Sequence, residues 1–170
     1  LGGTIRGAVS IAGAPAAGVP VTAAGRSTVS GPDGAFEVSG LSGGNVFVQA
    51  KDPASGFSAG TYAALADGGE AVVALDLPAW SRLRVQVVGA GESVAAGATV
   101  RLSGGGNTVS TTADASGVAD FGSRRLGTYA LEARVGGLAR GRVSPVVLDT
   151  HGADLLVTLR LRPLLVVVIP

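Results

Sequence analysis

The sequence predicts an all-β protein built as two tandem antiparallel β-sandwiches. Three observations point there. The composition is rich in Val, Thr and Gly, with 28 Gly, 8 Pro and only 4% aromatic residues among 170. That balance favours short strands joined by tight turns over helices. A unit of about 80 residues occurs twice in the chain, from about Thr4 to Leu77 and again from about Leu83 to Leu161. Within each unit apolar residues alternate over strand-length segments bounded by Gly, Pro and Asp, and six or seven such strands in ~80 residues suit two packed sheets.

The elements follow in the same order in both units. An opening strand places Ile5, Gly7 and Val9 on one face, answered by Leu83, Val85 and Val87. A Gly-led second strand, Gly18-Val19-Pro20-Val21, is answered by Gly97-Ala98-Thr99-Val100. A turn follows, Ser30-Gly31-Pro32-Asp33-Gly34-Ala35-Phe36 in the first unit and Thr112-Ala113-Asp114-Ala115-Ser116-Gly117-Val118 in the second. Asp supplies a side-chain acceptor for such a turn and Gly its positive-φ residue. Gly44 to Ala50 and Gly127 to Ala133 are strands entered from a Gly-bounded hairpin. Ala71 to Leu77 and Leu155 to Leu161 close the units as long apolar strands. Tyr62 to Ala66 is the one helix-like stretch, too short to stand alone. Residues 78–81 read as a linker containing Trp80. The expected division is therefore 1–78 and 79–162 as two sandwiches, with 163–170 as an apolar C-terminal strand.

These residues carry a resemblance. The Gly-x-Pro-Val strand, the Ser-Gly-Pro-Asp-Gly-Ala-Phe turn, the Ser-Gly-Leu-Ser-Gly-Gly loop and the Val-Phe-Val-Gln-Ala strand resemble the carboxypeptidase regulatory-like domain, whose relatives include transthyretin-like and collagen-adhesin B-type domains. It covers nearly all of 4–77, and 83–161 more loosely, because there the turn becomes Asp114-Ala115-Ser116-Gly117 and the loop shrinks to Arg125-Leu126-Gly127. The resemblance implies Ig-like, transthyretin-like sandwiches serving as spacer, stalk, adhesin module or appendage to an enzyme. Adhesin-type relatives join a first-strand Lys to a last-strand Asn. Arg6 and Arg84 stand on the first strands here and the last strands have no Asn, so no such bond is expected. Transthyretin-like hydrolases need several histidines and a particular C-terminal tail. This chain has one, His151, and ends Val168-Ile169-Pro170, so that activity is not expected.

Chemistry is sparse elsewhere. No Cys is present, which removes disulfides, thiol catalysis and thiolate metal sites. His151 at a hairpin mouth lacks partners for catalysis or metal binding, and Asp33 and Asp114 give one carboxylate per turn where calcium needs six or more oxygens. Ser103-Gly104-Gly105-Gly106-Asn107 lies between strands and reads as a hairpin tip, not a phosphate loop. The net charge of +1, Lys51 being the only lysine, offers no strong field for nucleic acid or acidic partners, and Arg124-Arg125 reads as a solvated pair at a loop. Phe36, Phe121, Phe47 and Tyr129 read as core, the last two as matched positions. Phe57, Tyr62 and Trp80 remain as candidate interdomain or ligand contacts, a surface polysaccharide being the ligand considered. The chain is read as no enzyme, with no catalytic, cofactor or metal residues.

The tail Leu164, Leu165, Val166, Val167, Val168, Ile169 is apolar without alternation, so both faces call for burial. It is too short to span a bilayer as a helix, and no other run of about 20 apolar residues exists. It reads as the opening strand of a further domain, as a strand folded back on the second unit, or as a strand donated to a neighbouring copy. The chain begins at Leu1, as a mature product or a piece of a longer chain would. The function expected is structural, at the cell surface or outside the cell: spacer, adhesin stalk or filament subunit, partnered by copies of itself or neighbouring β domains. The alternative is a carbohydrate- or protein-binding accessory module.

Overall fold

In the computed structural model residues 1–136 and 139–163 are described. The chain divides into two compact units, Leu1–Ala79 and Trp80–Pro170. The first holds β1 (Gly3–Ile11), β2 (Ala14–Pro15), β3 (Pro20–Ala23), β4 (Arg26–Val29), β5 (Ala35–Leu41), β6 (Gly44–Lys51), β7 (Ser58–Leu65) and β8 (Glu70–Leu77). In one of its sheets β1 pairs with β2, β5 and β8, and the other has the order β4-β3-β6-β7. The second unit holds β9 (Trp80–Val88), β10 (Thr99–Gly104), β11 (Asn107–Thr112), β12 (Val118–Arg125), β13 (Gly127–Val135), β14 (Ala139–Leu148), β15 (Asp154–Arg160) and β16 (Arg162–Pro163). Its sheets run β12-β9-β15 and β11-β10-β13-β14-β16. Each unit is thus an all-β sandwich, and the strand order of the first recurs in the second.

The alternation read from the sequence sorts side chains as a half-buried strand should. Ile5 and Val9 are buried on β1, and Leu83, Val85 and Val87 are fully buried on β9. The facing sheets contribute Val21, Val48 and Ala50 in the first unit and Val100, Leu131 and Ala133 in the second. Gly7 falls on the inward side of β1 so that the ring of Phe36, its cross-strand partner, can lie over the backbone: a Cβ there would come within 2.7 Å of that ring. Phe36 and Phe121 are core residues, as expected.

Among the described residues one pairing in each unit is parallel. β8 runs beside β1 from Thr4↔Glu70 to Ile11↔Leu77, and β15 beside β9 from Asp154↔Arg82 to Arg160↔Val88. The same ion pair crosses both seams, two residues out of register. Arg6 reaches Glu70 at 3.2 Å and Arg84 holds Asp154 with two hydrogen bonds of 3.0 and 2.9 Å. Arg6 and Arg84, the residues standing on the first strands in place of a lysine, therefore bridge to the last strands by exposed salt bridges.

The turns before β5 and β12 use one design. The amide of Val9 donates to the carbonyl of Gly34, and that of Val87 to Gly117, both at 2.8 Å. Both glycines have φ near +77°, and a Cβ on Gly34 would lie 2.4 Å from the Val9 carbonyl oxygen. The units differ at the position before this turn. Buried Ser30 Oγ donates to the Ala16 carbonyl (2.6 Å) and accepts from the Val19 amide (3.0 Å). Ala113 occupies the matching place in the second unit, and there the Ala98 amide donates straight to the Ala95 carbonyl at 3.3 Å.

Two sequence expectations fail here. Tyr62 to Ala66 is not helical: 62–65 belong to β7, paired with β6, with Tyr62 and Ala64 outward and Ala63 and Leu65 buried. Period-2 burial overrides the weak helical preference of an Ala-rich run. Residues 80 and 81, read as linker, open strand β9, where Trp80 pairs with Arg125. The assembly strand expected at 164–169 lies outside the described residues.

Candidate interaction surfaces

The carboxylates that might have held a metal are taken up by their own turns. Asp33 accepts from the Ala35 amide at 3.0 Å. Asp114 accepts from the Ser116 hydroxyl (2.6 Å) and from the Ser116 and Val118 amides, and these bonds, the hydroxyl foremost, hold its carboxyl below the usual carboxylate range. Buried Asp52 closes the β6–β7 turn by accepting from the Ala54 and Ser55 amides and the Ser55 hydroxyl. Among the described residues no group of three or more His, Asp or Glu converges as metal ligands would.

Of the aromatic candidates, Phe57 and Tyr62 belong to the first unit and Trp80 to the second. Tyr62 is 66% exposed and tilts against Phe47, ring centroids 5.0 Å apart, on the outer face of the β4-β3-β6-β7 sheet. Phe47 is 44% exposed, a correction to its expected place in the core. Its neighbours Val46 and Val48 take the inward positions, and the residue matching Tyr129 is Val46, since Ala50 and Ala133 are the inward partners of Val21 and Val100. A one-residue offset exchanges the faces of a strand. Tyr129 packs partly buried against the second core, its ring over Gly104 and its hydroxyl donating to the Arg125 carbonyl at 2.7 Å. Phe47 likewise lies over Gly60, where a Cβ would come within 2.5 Å of the ring. Phe57 is half-buried in the β6–β7 turn. Trp80 belongs to the second unit and meets His151 edge-on at 5.4 Å, its amide donating to His151 Nδ1 at 3.2 Å.

A charged face that the sequence reading passed over lies on the outside of the β11-β10-β13-β14-β16 sheet. Arg134, Arg140 and Arg162 stand directly opposite one another on β13, β14 and β16. The adjacent row holds Ser110, Arg101, Glu132 and Arg142. Glu132 is bonded by Arg134 at 2.7 and 2.9 Å; that bond first, and then the charges of Arg101 and Arg140, hold its carboxyl below the usual range. Two open grooves flank Glu132, of about 640 Å³ towards Arg140, Arg142, Arg160 and Arg162 and about 210 Å³ towards Arg101 and Ser110. Gly141 lets β14 and β15 approach beneath the larger groove, since a Cβ there would be 2.3 Å from the Arg160 carbonyl oxygen. The signal available in the sequence was alternation, Arg140-Gly141-Arg142 and Arg160-Leu161-Arg162. Arg124 and Arg125, expected in a loop, end β12 instead, where Arg124 donates to the Phe121 carbonyl.

No family model matches the chain, and no curated protein matches it. Solved structures do. The Bacillus anthracis TIE protein aligns with 94% of this chain at 16% identity and a TM-score of 0.43. A streptococcal ancillary pilin aligns with 95% at 14% identity and 0.48, and the minor pilin of Streptococcus agalactiae with 99% at 13% identity and 0.45. The chain spans 34% of the first of these, 63% of the second and 99% of the third.

Proposed function

We propose that the chain is a structural module of the cell surface or extracellular space, a load-bearing spacer, adhesin stalk or filament subunit and not an enzyme. What supports this is the seam between the first and last strands of each unit. They run parallel and side by side, so the chain enters a unit at one end of the seam and leaves at the other. Tension along the chain then shears all the bonds of that seam together, whereas an antiparallel pair at the same place would open one bond at a time. The pilins among the similar structures are proteins of the kind this reading describes. Residues 164–169 supply a candidate strand for donation to the next copy, giving head-to-tail assembly.

Single-molecule stretching of the chain between inert handles tests the load-bearing role. Two unfolding steps are expected, each releasing ~25 nm for about 80 residues at the extended length per residue. Moving the attachment points to residues 3 and 41, the ends of the antiparallel β1–β5 pair that face each other, should unzip the first unit at lower force. Equal forces for both geometries would refute it. Electron microscopy of the chain with and without 164–170 tests assembly, which predicts filaments lost on deletion. The exposed Phe47–Tyr62 pair favours the accessory-module reading instead, and an oligosaccharide titration that shifts those ring resonances would support it.

A further inference from the structure

We propose that the arginine face of the second unit is a binding site for a linear acidic glycan. The inference goes beyond the mechanical role and does not depend on it. Residues 80–170 contain ten arginines and no lysine against six acidic residues, while residues 1–79 contain three basic and six acidic ones. The near-neutral total conceals a basic second unit, and five of its arginines gather on one sheet face. Like charges set directly opposite across a sheet repel. This sheet nevertheless keeps two such contacts in one row, Arg134 beside Arg140 and Arg140 beside Arg162. Among the described residues only Glu132 stands among them, already bonded by Arg134, and Arg101, Arg140, Arg142 and Arg162 form no ion pair. An anion lying across the row would convert that repulsion into attraction.

The layout selects the kind of anion. Neighbouring strands lie about 4.8 Å apart, so the charges of the row recur at roughly that interval along a line. A guanidinium fork grips carboxylate or phosphodiester oxygens in pairs. An extended chain with one oxyanion per unit can follow the row while the grooves beside Glu132 accept its rings. Single-stranded nucleic acid would want aromatic platforms for its bases. The outward neighbours here are Thr99, Ser103, Ser110, Thr128 and Ala130, and Tyr129 faces the core. A second copy is the poorer match. The acids of the first unit are scattered and engaged, Glu37 and Glu70 by Arg6, Asp33 and Asp67 by turn amides, Asp76 by Ser10 and Asp52 by its own loop.

The test is calorimetric titration of the full chain with polygalacturonate and with poly(glycerol phosphate), at 50 and 200 mM salt. With about four charges neutralised, the fourfold rise in salt should weaken binding on the order of fiftyfold. The triple variant Arg134→Gln, Arg140→Gln, Arg142→Gln should bind at least tenfold more weakly, with an unchanged melting curve. The pair Arg82→Gln, Arg84→Gln on the other sheet should keep its affinity. Binding of polygalacturonate, with or without binding of the phosphodiester polymer, supports the site as one for a uronate glycan; binding of poly(glycerol phosphate) alone, a polymer without sugar rings, would overturn the glycan as the ligand. Equal losses in both variants would reduce the effect to overall charge and overturn it. So would tighter binding of single-stranded oligonucleotides, binding of neither polymer, or sedimentation showing self-association that the triple variant abolishes.

Discussion

Ser30 and Ala113 form a natural experiment on one buried hydrogen-bond bridge, and Ser30→Ala carries it into the first unit. The hydroxyl is inserted between the Val19 amide and the Ala16 carbonyl, both in buried residues. If the loop stays put on substitution, an N–H and a C=O are stranded together, at about 1–3 kcal/mol each. The second unit shows how that is avoided, because its amide and carbonyl close to a direct bond of 3.3 Å. A loop free to close in that way loses only a well-formed bridge for a long bond. The expected cost is therefore about 1–2 kcal/mol, or a fall of ~4–8 °C in midpoint per kcal/mol for a unit of this size. Amide hydrogen exchange reads it unit by unit, with Val48 and Ala50 reporting the first core and Leu131 and Ala133 serving as internal reference. Faster exchange at the first pair alone is expected. A change below ~0.3 kcal/mol in the first unit, a resolution typical of additive comparisons, would mean that the bridge contributes nothing the direct bond cannot. A loss above ~4 kcal/mol, the range of exceptional mutations, would mean that the loop cannot adopt the second unit's closure.

Other expectations follow from the same geometry. Gly34→Ala and Gly117→Ala should each cost more than ~1 kcal/mol in urea unfolding, since a left-handed residue gains a Cβ and, at Gly34, that Cβ meets a carbonyl oxygen. Asp114 has a folded-state pKa below its unfolded one, so its contribution is present above about pH 4 and is lost as the pH falls through the lower folded value. The urea midpoint of wild type should accordingly drop as the pH falls below about 4, and that of Asp114→Asn should drop less; parallel profiles would refute the assignment. Phe47→Ala should destabilise the first unit by about 1–2 kcal/mol despite the exposure of the ring, by uncovering Gly60 and removing the Tyr62 contact. Urea unfolding of that variant checks it.

Alternation and turn chemistry made most of each sandwich legible, because Ile5 with Val9 and Leu83 with Val87 leave one workable face for their strands. The Asp-Gly turns were equally plain, a positive φ and a side-chain acceptor being written into residue type. What misled was information one residue wide. Phe47 and Tyr129 look equivalent by eye, but their strands align Tyr129 with Val46, and in a period of two that error turns a side chain from core to solvent. Trp80 was hidden by Pro78, which reads as a linker although β9 begins two residues later. The arginine face was invisible for another reason. Its members come from four strands that only pairing brings together, and a net charge summed over both units cancels the asymmetry that marks it.

The parallel seams also fix the order of events when the chain is made. The neighbour of β1 on one side is the last strand of its unit, with Ser10 and Asp76 joined across 66 residues. Until the final strand emerges, the first has no partner on that side, and pairing the two then requires a long loop to close, which is slow. Each unit therefore stays unlocked while its last strand is still unmade, and locks when that strand emerges. The first can lock before the second has been made, so a growing chain carries one finished unit while the other is completed.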